Sequence, residues 1–156
     1  RTNYFLNRPM SGGGWNSWNN PQLAKRSFHH YVGKVHEKSI VVGGISKIGQ
    51  LKSNIIHLND DSYKERMRKS FIYCQEEAEI LIKRNKKITY LSFPYHILRE
   101  FLKKYFIKLG FLDGIPGLIS AVHSSNAIFR TLSIVWDNQN KISRSKIESN
   151  IADNWK

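Results

Sequence analysis

Two places in the 156-residue sequence bring together side chains that could do chemistry. One is Val35-His36-Glu37-Lys38, read as the start of a strand. The other is His57, at a strand end shortly before Asp60 and Asp61. Neighbours on a strand point to opposite faces, so only one of His36 and Glu37 can face a given cleft. A carboxylate at a strand start can serve as a general base on an acceptor hydroxyl. A histidine beside two aspartates could ligate a metal or a phosphate. The same spacing also fits a solvated His–Glu pair and a structural histidine, and the residues alone leave both readings open. His36-Glu37 is followed by Lys38-Ser39-Ile40, so there is no HExxH; P-loop, GxGxxG and zinc-finger spacings are also absent. The single cysteine, Cys74, excludes an intrachain disulfide and a cysteine metal cage. Its place in a helical pattern points to packing.

Trp15 and Trp18 follow the glycine run Gly12-Gly13-Gly14. Loops run over the surface, so two tryptophans there either fold back onto the core or offer an aromatic platform to a sugar or other acceptor. The elements that must position these groups are legible in outline. Asn3–Leu6 is strand-like. Residues 22–58 read as extended structure, with a hairpin of Val35–Val42 turning at Gly43-Gly44 into Ile45–Leu51 and a short strand over Asn54–Leu58. Residues 60–84 read as a helix with N-caps among Asp60, Asp61 and Ser62. Its apolar face runs through Tyr63, Met67, Phe71, Cys74, Ala78, Leu81 and Ile82. A second helix spans 93–109, with Pro94 in its first turn and Gly110 as the residue after its end. A third runs from an Asp113 cap to about Trp136, and the last twenty residues read as a frayed polar tail.

Composition sets the class. Apolar residues make up 40% and charged residues 24% of the chain, which excludes a disordered, collagen-like or polytopic membrane protein. Lys plus Arg number 25 against 12 Asp plus Glu, giving +13. Such a surplus calls for nucleic acid, an acidic membrane surface or phosphorylated substrates. From Lys83 to Lys108 eight cations face one acid, Glu100, so that stretch alone carries +7. The chain opens with Arg1 directly in strand-like residues, and the expectation is that the molecule begins earlier.

The order of several short motifs resembles a known family. Gly13-Gly14-Trp15, Arg26-Ser27-Phe28, Tyr31-Val32-Gly33-Lys34-Val35-His36-Glu37, Ile48-Gly49-Gln50-Leu51-Lys52 and Ile56-His57 together look like the second half of a family 2 glycosyltransferase. The likeness is to the bacterial branch that includes lipopolysaccharide-core glucosyltransferases. Gly110-Phe111-Leu112-Asp113-Gly114 is similar to that branch's membrane-associated C-terminal region. The resemblance covers roughly residues 2–136. It implies a partial GT-A fold of mixed α/β class: short strands and a hairpin followed by three amphipathic helices. It implies that Glu37 is the catalytic base and that His57 lies near the donor diphosphate and its metal. His36 and Arg26 would support the site, with Arg26 on a strand, and Trp15 and Trp18 would bind acceptor. The cofactor implied is a divalent metal, Mg or Mn, and the donor substrate is a nucleotide-sugar. The family's Asp-x-Asp motif is absent from the sequence, so the donor-binding half is expected upstream and the isolated chain is expected to be inactive.

The resulting expectation has three regions. Residues 1–59 would be the acceptor-side half of a catalytic domain, 60–136 a helical membrane-associating region and 137–156 a polar tail. The reaction would move a sugar from a nucleotide-sugar to a hydroxyl of a glycan or lipid-linked acceptor, with inversion, in cell-envelope or lipopolysaccharide biosynthesis. Arg99, Lys103, Lys104 and Lys108 would meet an anionic membrane surface, placing the protein at the cytoplasmic, inner face of the cell membrane. The rival readings are a basic nucleic-acid-binding module, which lacks any helix-turn-helix, RNP, KH or zinc pattern, and an accessory membrane-surface module.

Overall fold

The computed structural model of the protein describes residues 1–17, 23–32, 38–43, 48–50 and 52–155. Thr2–Phe5 (β1) and Arg8–Met10 (β2) form an antiparallel hairpin. Its two-residue turn places Leu6 and Asn7 at φ 51° and 60°, the paired positive values that match the twist of the strands. Pro9 therefore sits in a strand. It is tolerated because β2 is an edge. Ile56–Asp60 (β5) adds to β1 in parallel, giving the order β2-β1-β5.

A separate two-stranded sheet pairs His29–Val32 (β3) with Lys38–Val41 (β4). The expected strand Val35–Val42 is present in part as β4, and its partner among the described residues is β3, whereas the expected partner Ile45–Leu51 lies largely outside them. Residues 48–50 carry no strand; residues 44–47 and 51 lie outside the described residues. Arg26–Phe28, expected in a strand, is a 3-10 turn leading into β3.

Helix α1 (Tyr63–Lys83) begins as the sequence demands. Ser62 Oγ accepts from Glu65 N at 3.2 Å, and Glu65 Oε2 accepts from Asp61 N at 3.0 Å. The Ser-x-x-Glu spacing thus satisfies two amides at the helix start. Its buried stripe, however, is Ser70, Cys74 and Ala78, while Tyr63, Met67 and Phe71 face out. Small residues at steps of four let α1 approach α3 (Gly114–Gln139) closely, and Cys74 Sγ donates to Ala127 O. The core lies between them, built on Ala78, Ile88, Leu132 and Val135, with Phe93 and Ile128 packed against it. Gln139 staples the loop after α1 by accepting from Ile88 N and donating to Lys86 O.

Helix α2 (Ser92–Leu102) runs into a π turn at Lys103–Ile107 and then a 3-10 turn at Gly110–Asp113. Leu109, not Gly110, takes the left-handed conformation at this elbow, with φ 56°. Gly110 is needed for contact instead, since a Cβ there would stand 2.6 Å from Lys104 O. The tail is ordered as α4 (Arg144–Asn154), capped by Ser143 and exposed along its length, rather than frayed. No single helix among the described residues is long and apolar enough to cross a membrane. Ser92–Ile107 with Gly110–Gln139, bent by 69°, passes that test only as a pair.

Candidate functional site

The glycine loop after β2 is fastened to the elbow between α2 and α3. Asp113 Oδ1 accepts from Ser11 N at 2.8 Å and from Ser11 Oγ, while Oδ2 accepts from Gly12 N at 2.8 Å. Gly13 N donates to Lys108 O at 2.7 Å. The approach is close enough to require glycine: a Cβ on Gly12 would lie 2.1 Å from Leu109 O, and one on Gly117 would lie 1.9 Å from Gly110 O. Asp113 was expected to cap α3. Its side chain makes no such cap and holds the loop instead.

Where loop, sheet and elbow meet there is an open groove of about 1110 Å³. Arg1, Arg8, Ser11, Asn16, Asn54 and Asp113 supply its polar lining, and Leu112 and Ile115 part of its apolar wall. Forked cations, amides, a hydroxyl and a carboxylate are the groups that hydrogen-bond sugar hydroxyls or phosphate oxygens.

Beside the groove runs a chain of hydrogen bonds. Asn3 is buried and donates from Nδ2 to Trp15 O, which orients its amide so that Oδ1 accepts from His57 Nδ1 at 3.2 Å. The proton is thereby placed on Nδ1, and Nε2 keeps a lone pair. Burial, then the charges of Arg1 and Lys69, lower the His57 pKa, against the opposing pull of Asp60. The imidazole is accordingly neutral at physiological pH. Trp15 Nε1 donates to Ser120 Oγ at 3.1 Å; Ser124 Oγ donates to Ser120 O, and Lys104 Nζ donates to Ser124 Oγ at 2.8 Å. The Trp15 ring packs on Phe5 with centroids 5.4 Å apart, and the Arg66 guanidinium stands 5.7 Å from its centre. Arg66 and Lys69 in turn hold the fully covered Asp60 carboxylate at 3.4 and 3.3 Å.

A buried histidine lies farther along α3. His123 Nδ1 shares a hydrogen bond with the Tyr63 hydroxyl at 3.3 Å, and Nε2 has no partner among the described residues. Burial, with Arg66 and Arg130 nearby, lowers its pKa to about 4.

These contacts locate the residues singled out in the sequence. Trp15 and His57 meet in one hydrogen-bonded chain; Trp15 turns inward, and its neighbour Asn16 faces the groove. Glu37, His36 and Trp18 lie outside the described residues. Arg26 is exposed on the turn before β3. Arg99 is exposed, Lys103 pairs with Glu100 at 3.7 Å, and the Lys108 side chain lies against Gly14. Lys104 points inward, and burial lowers its pKa. Among the described residues no three His, Cys, Asp or Glu side chains group as metal ligands. His57 instead neighbours Arg1 and Lys69, so it does not fit a cation site built from these residues. The loop-holding role of Asp113 and the place of Asn54 in the groove were not legible in the sequence because their partners are 102 and 53 residues away. The only local trace of the contact was the glycine content of both segments.

The chain is distantly similar to two curated proteins. One, from Rickettsia typhi, is named an uncharacterized glycosyltransferase and is 27% identical over 111 residues, covering 69% of this chain and 38% of the relative. The other, from Rickettsia prowazekii and named in the same way, is 26% identical over 115 residues, or 71% and 39%. The chain thus spans less than two-fifths of the length of these relatives. No protein-family model and no solved structure matches it.

Proposed function

We propose that this chain is the acceptor-side part of a glycosyltransferase. The observation that carries the reading is the similarity, over about 70% of the chain, to two proteins that bear that name. The groove is compatible with it: its polar lining suits a glycan or the phosphate of a lipid-linked acceptor. In the finer form, the enzyme is of the family 2, GT-A type. It takes a nucleotide-sugar donor and an envelope glycan or lipopolysaccharide-type acceptor, and works peripherally at the inner face of the membrane. The acceptor oxygen attacks the anomeric carbon, the bond to the nucleoside diphosphate breaks, and Glu37 takes the hydroxyl proton. His57, neutral and held by Asn3, keeps the Trp15 loop in register with β5. The divalent cation of the complete enzyme is held outside the described residues, and no step here passes through it.

The test is coexpression of the chain with the polypeptide encoded directly upstream, assayed for nucleoside diphosphate release from a panel of nucleotide-sugars. Acceptor-dependent release is expected, and Glu37→Gln should reduce it roughly a hundredfold or more. The 156 residues alone should release none. Turnover by the isolated chain, or wild-type rates in the Glu37→Gln variant, would overturn the assignment.

A further inference from the structure

The groove beside the Trp15 loop holds a charge imbalance that the fold itself does not use. Arg1 and Arg8 both line it, and Asp113 is the one carboxylate among its described lining residues. That carboxylate is already committed: its two oxygens accept from the Ser11 and Gly12 amides and from the Ser11 hydroxyl. Arg8 is exposed on the edge strand β2, and its guanidinium makes no ion pair or hydrogen bond among the described residues. A lone arginine on a convex surface would be a solvated charge. Here the fork lies in a concave wall beside a second arginine, within a volume of about 1110 Å³. Asn16 lines the same groove, and its Nδ2 donates to Ser11 O at 2.6 Å, which fixes the amide and leaves Oδ1 as an acceptor. Leu112 and Ile115, 64% and 72% exposed, supply apolar wall. A guanidinium fork matches two oxygens of a phosphoryl group, a fixed amide oxygen matches a sugar hydroxyl, and an apolar wall takes the remaining carbon skeleton.

We propose that this groove takes the phosphoryl group of an anionic acceptor, and that Arg8 selects such an acceptor over a neutral one. The word acceptor rests on the glycosyltransferase reading, whereas the anion site rests on the groove alone. Arg8, Ser11 and Asn16 lie on one short segment, and the Asp113 clamp holds its middle. The strand and the Trp15 turn thus present the cation and the amide at a fixed spacing. The phosphoryl group could be carried on the glycan or on a lipid carrier. The recognition chemistry is the same for both, and the test separates them.

The experiment titrates the 156-residue chain with glucose 6-phosphate, glucose and geranyl phosphate and follows backbone amide shifts by NMR. Glucose 6-phosphate should move the Arg8, Ser11 and Asn16 amides and bind roughly tenfold or more tightly than glucose. Arg8→Ala should remove most of that difference. Arg8→Lys, which keeps the charge and loses the fork, should recover part of it. Neither should shift the thermal midpoint by more than about 2 °C, since the side chain has no partner to lose. Arg144→Ala, exposed on α4 and outside the groove, should change nothing. Tighter Arg8-dependent binding of geranyl phosphate than of glucose 6-phosphate supports the site with a lipid carrier, and the reverse order supports it with a phosphorylated glycan. Equal binding of glucose and glucose 6-phosphate would overturn the proposal. So would equal losses in Arg8→Ala and Arg144→Ala, because the anion would then answer only to the +13 net charge. Arg8-dependent phosphate binding, with no nucleoside diphosphate released when the chain is coexpressed with the upstream polypeptide, would leave the anion site standing and remove the transferase reading. Release that is equal for neutral and phosphorylated acceptors and untouched by Arg8→Ala would keep the transferase and remove the site.

Discussion

Asp113 shows how one carboxylate can organise a site from a distance of a hundred residues. Its two oxygens take two backbone amides and a hydroxyl of Ser11-Gly12, and those residues lead directly to the Trp15 turn and to Asn16 in the groove. Charge-assisted bonds of this kind are individually the stronger ones. Asp113→Ala should cost about 2–3 kcal/mol in urea unfolding and accelerate hydrogen exchange at the Ser11 and Gly12 amides more than elsewhere. Asp113→Asn, which retains one acceptor oxygen, should recover part of both. Gly117→Ala should be at least as damaging, because its methyl would meet Gly110 O at 1.9 Å, a main-chain atom that cannot swing aside. Equal exchange at the two amides in wild type and Asp113→Ala would refute the role of the side chain.

At the scale of elements, the helices carry a second apolar stripe that packing inside the chain does not use. On α2 and the π turn, Leu91, Tyr95, Leu98, Leu102 and Phe106 are all exposed and recur at steps of four, three, four and four along one side. Arg99 and Lys103 flank that side, whereas Lys104 is turned toward Ser124. Apolar rows bordered by cations suit an anionic lipid surface, and cosedimentation with phosphatidylglycerol vesicles is expected. Arg99→Ala and Lys103→Ala should each weaken it about fivefold, near 1 kcal/mol per cation, and Leu91→Ser with Leu98→Ser should weaken it further without lowering thermal stability. Lys104→Ala should leave lipid binding alone and destabilise the fold. Salt-steep binding to DNA or RNA with no lipid binding would refute this surface. The sequence made α1, α2 and α3 visible because caps and apolar spacing are local signals. On α1 the expected face is right at Cys74, Ala78, Leu81 and Ile82, which are buried or pack against the core, and wrong at Met67 and Phe71, which are exposed because α3 selects Ser70 beside Cys74 and Ala78. The pairing of Tyr31 and Val32 with Ser39 and Lys38 was missed because partner choice depends on contacts that neither strand's own residues reveal.

Across the whole molecule, one buried histidine ties stability to pH. The buried seam between β5, α1, the π turn and α3 gathers Asp60, Arg66, Arg130 and Lys104 around His123, with Tyr63 against its ring. Burial is the first obstacle to a charge on this imidazole, and three cations against one carboxylate add to it. The His123 pKa accordingly falls from 6.5 to about 4. The unfolded chain then binds more protons than the folded one between those values, so stability rises with pH through that window. Full benefit is reached above pH 6.5, and on acidification the contribution is lost progressively down to about pH 4. The shift corresponds to roughly 3 kcal/mol for this 2% exposed side chain, and His57, displaced in the same direction, adds with the same sign. Nothing in the sequence announced this, because His123 lies among serines on α3 and its cations come from α1 and the π turn as well as from α3 itself. Urea midpoints measured from pH 7.5 down to 4 should fall steadily for the wild type. His123→Leu removes the titrating group and the partnerless Nε2 together. It should match wild type at pH 7 within about 1 kcal/mol and show a clearly flatter profile below it; an unchanged slope would mean that other groups set the acid sensitivity of the fold.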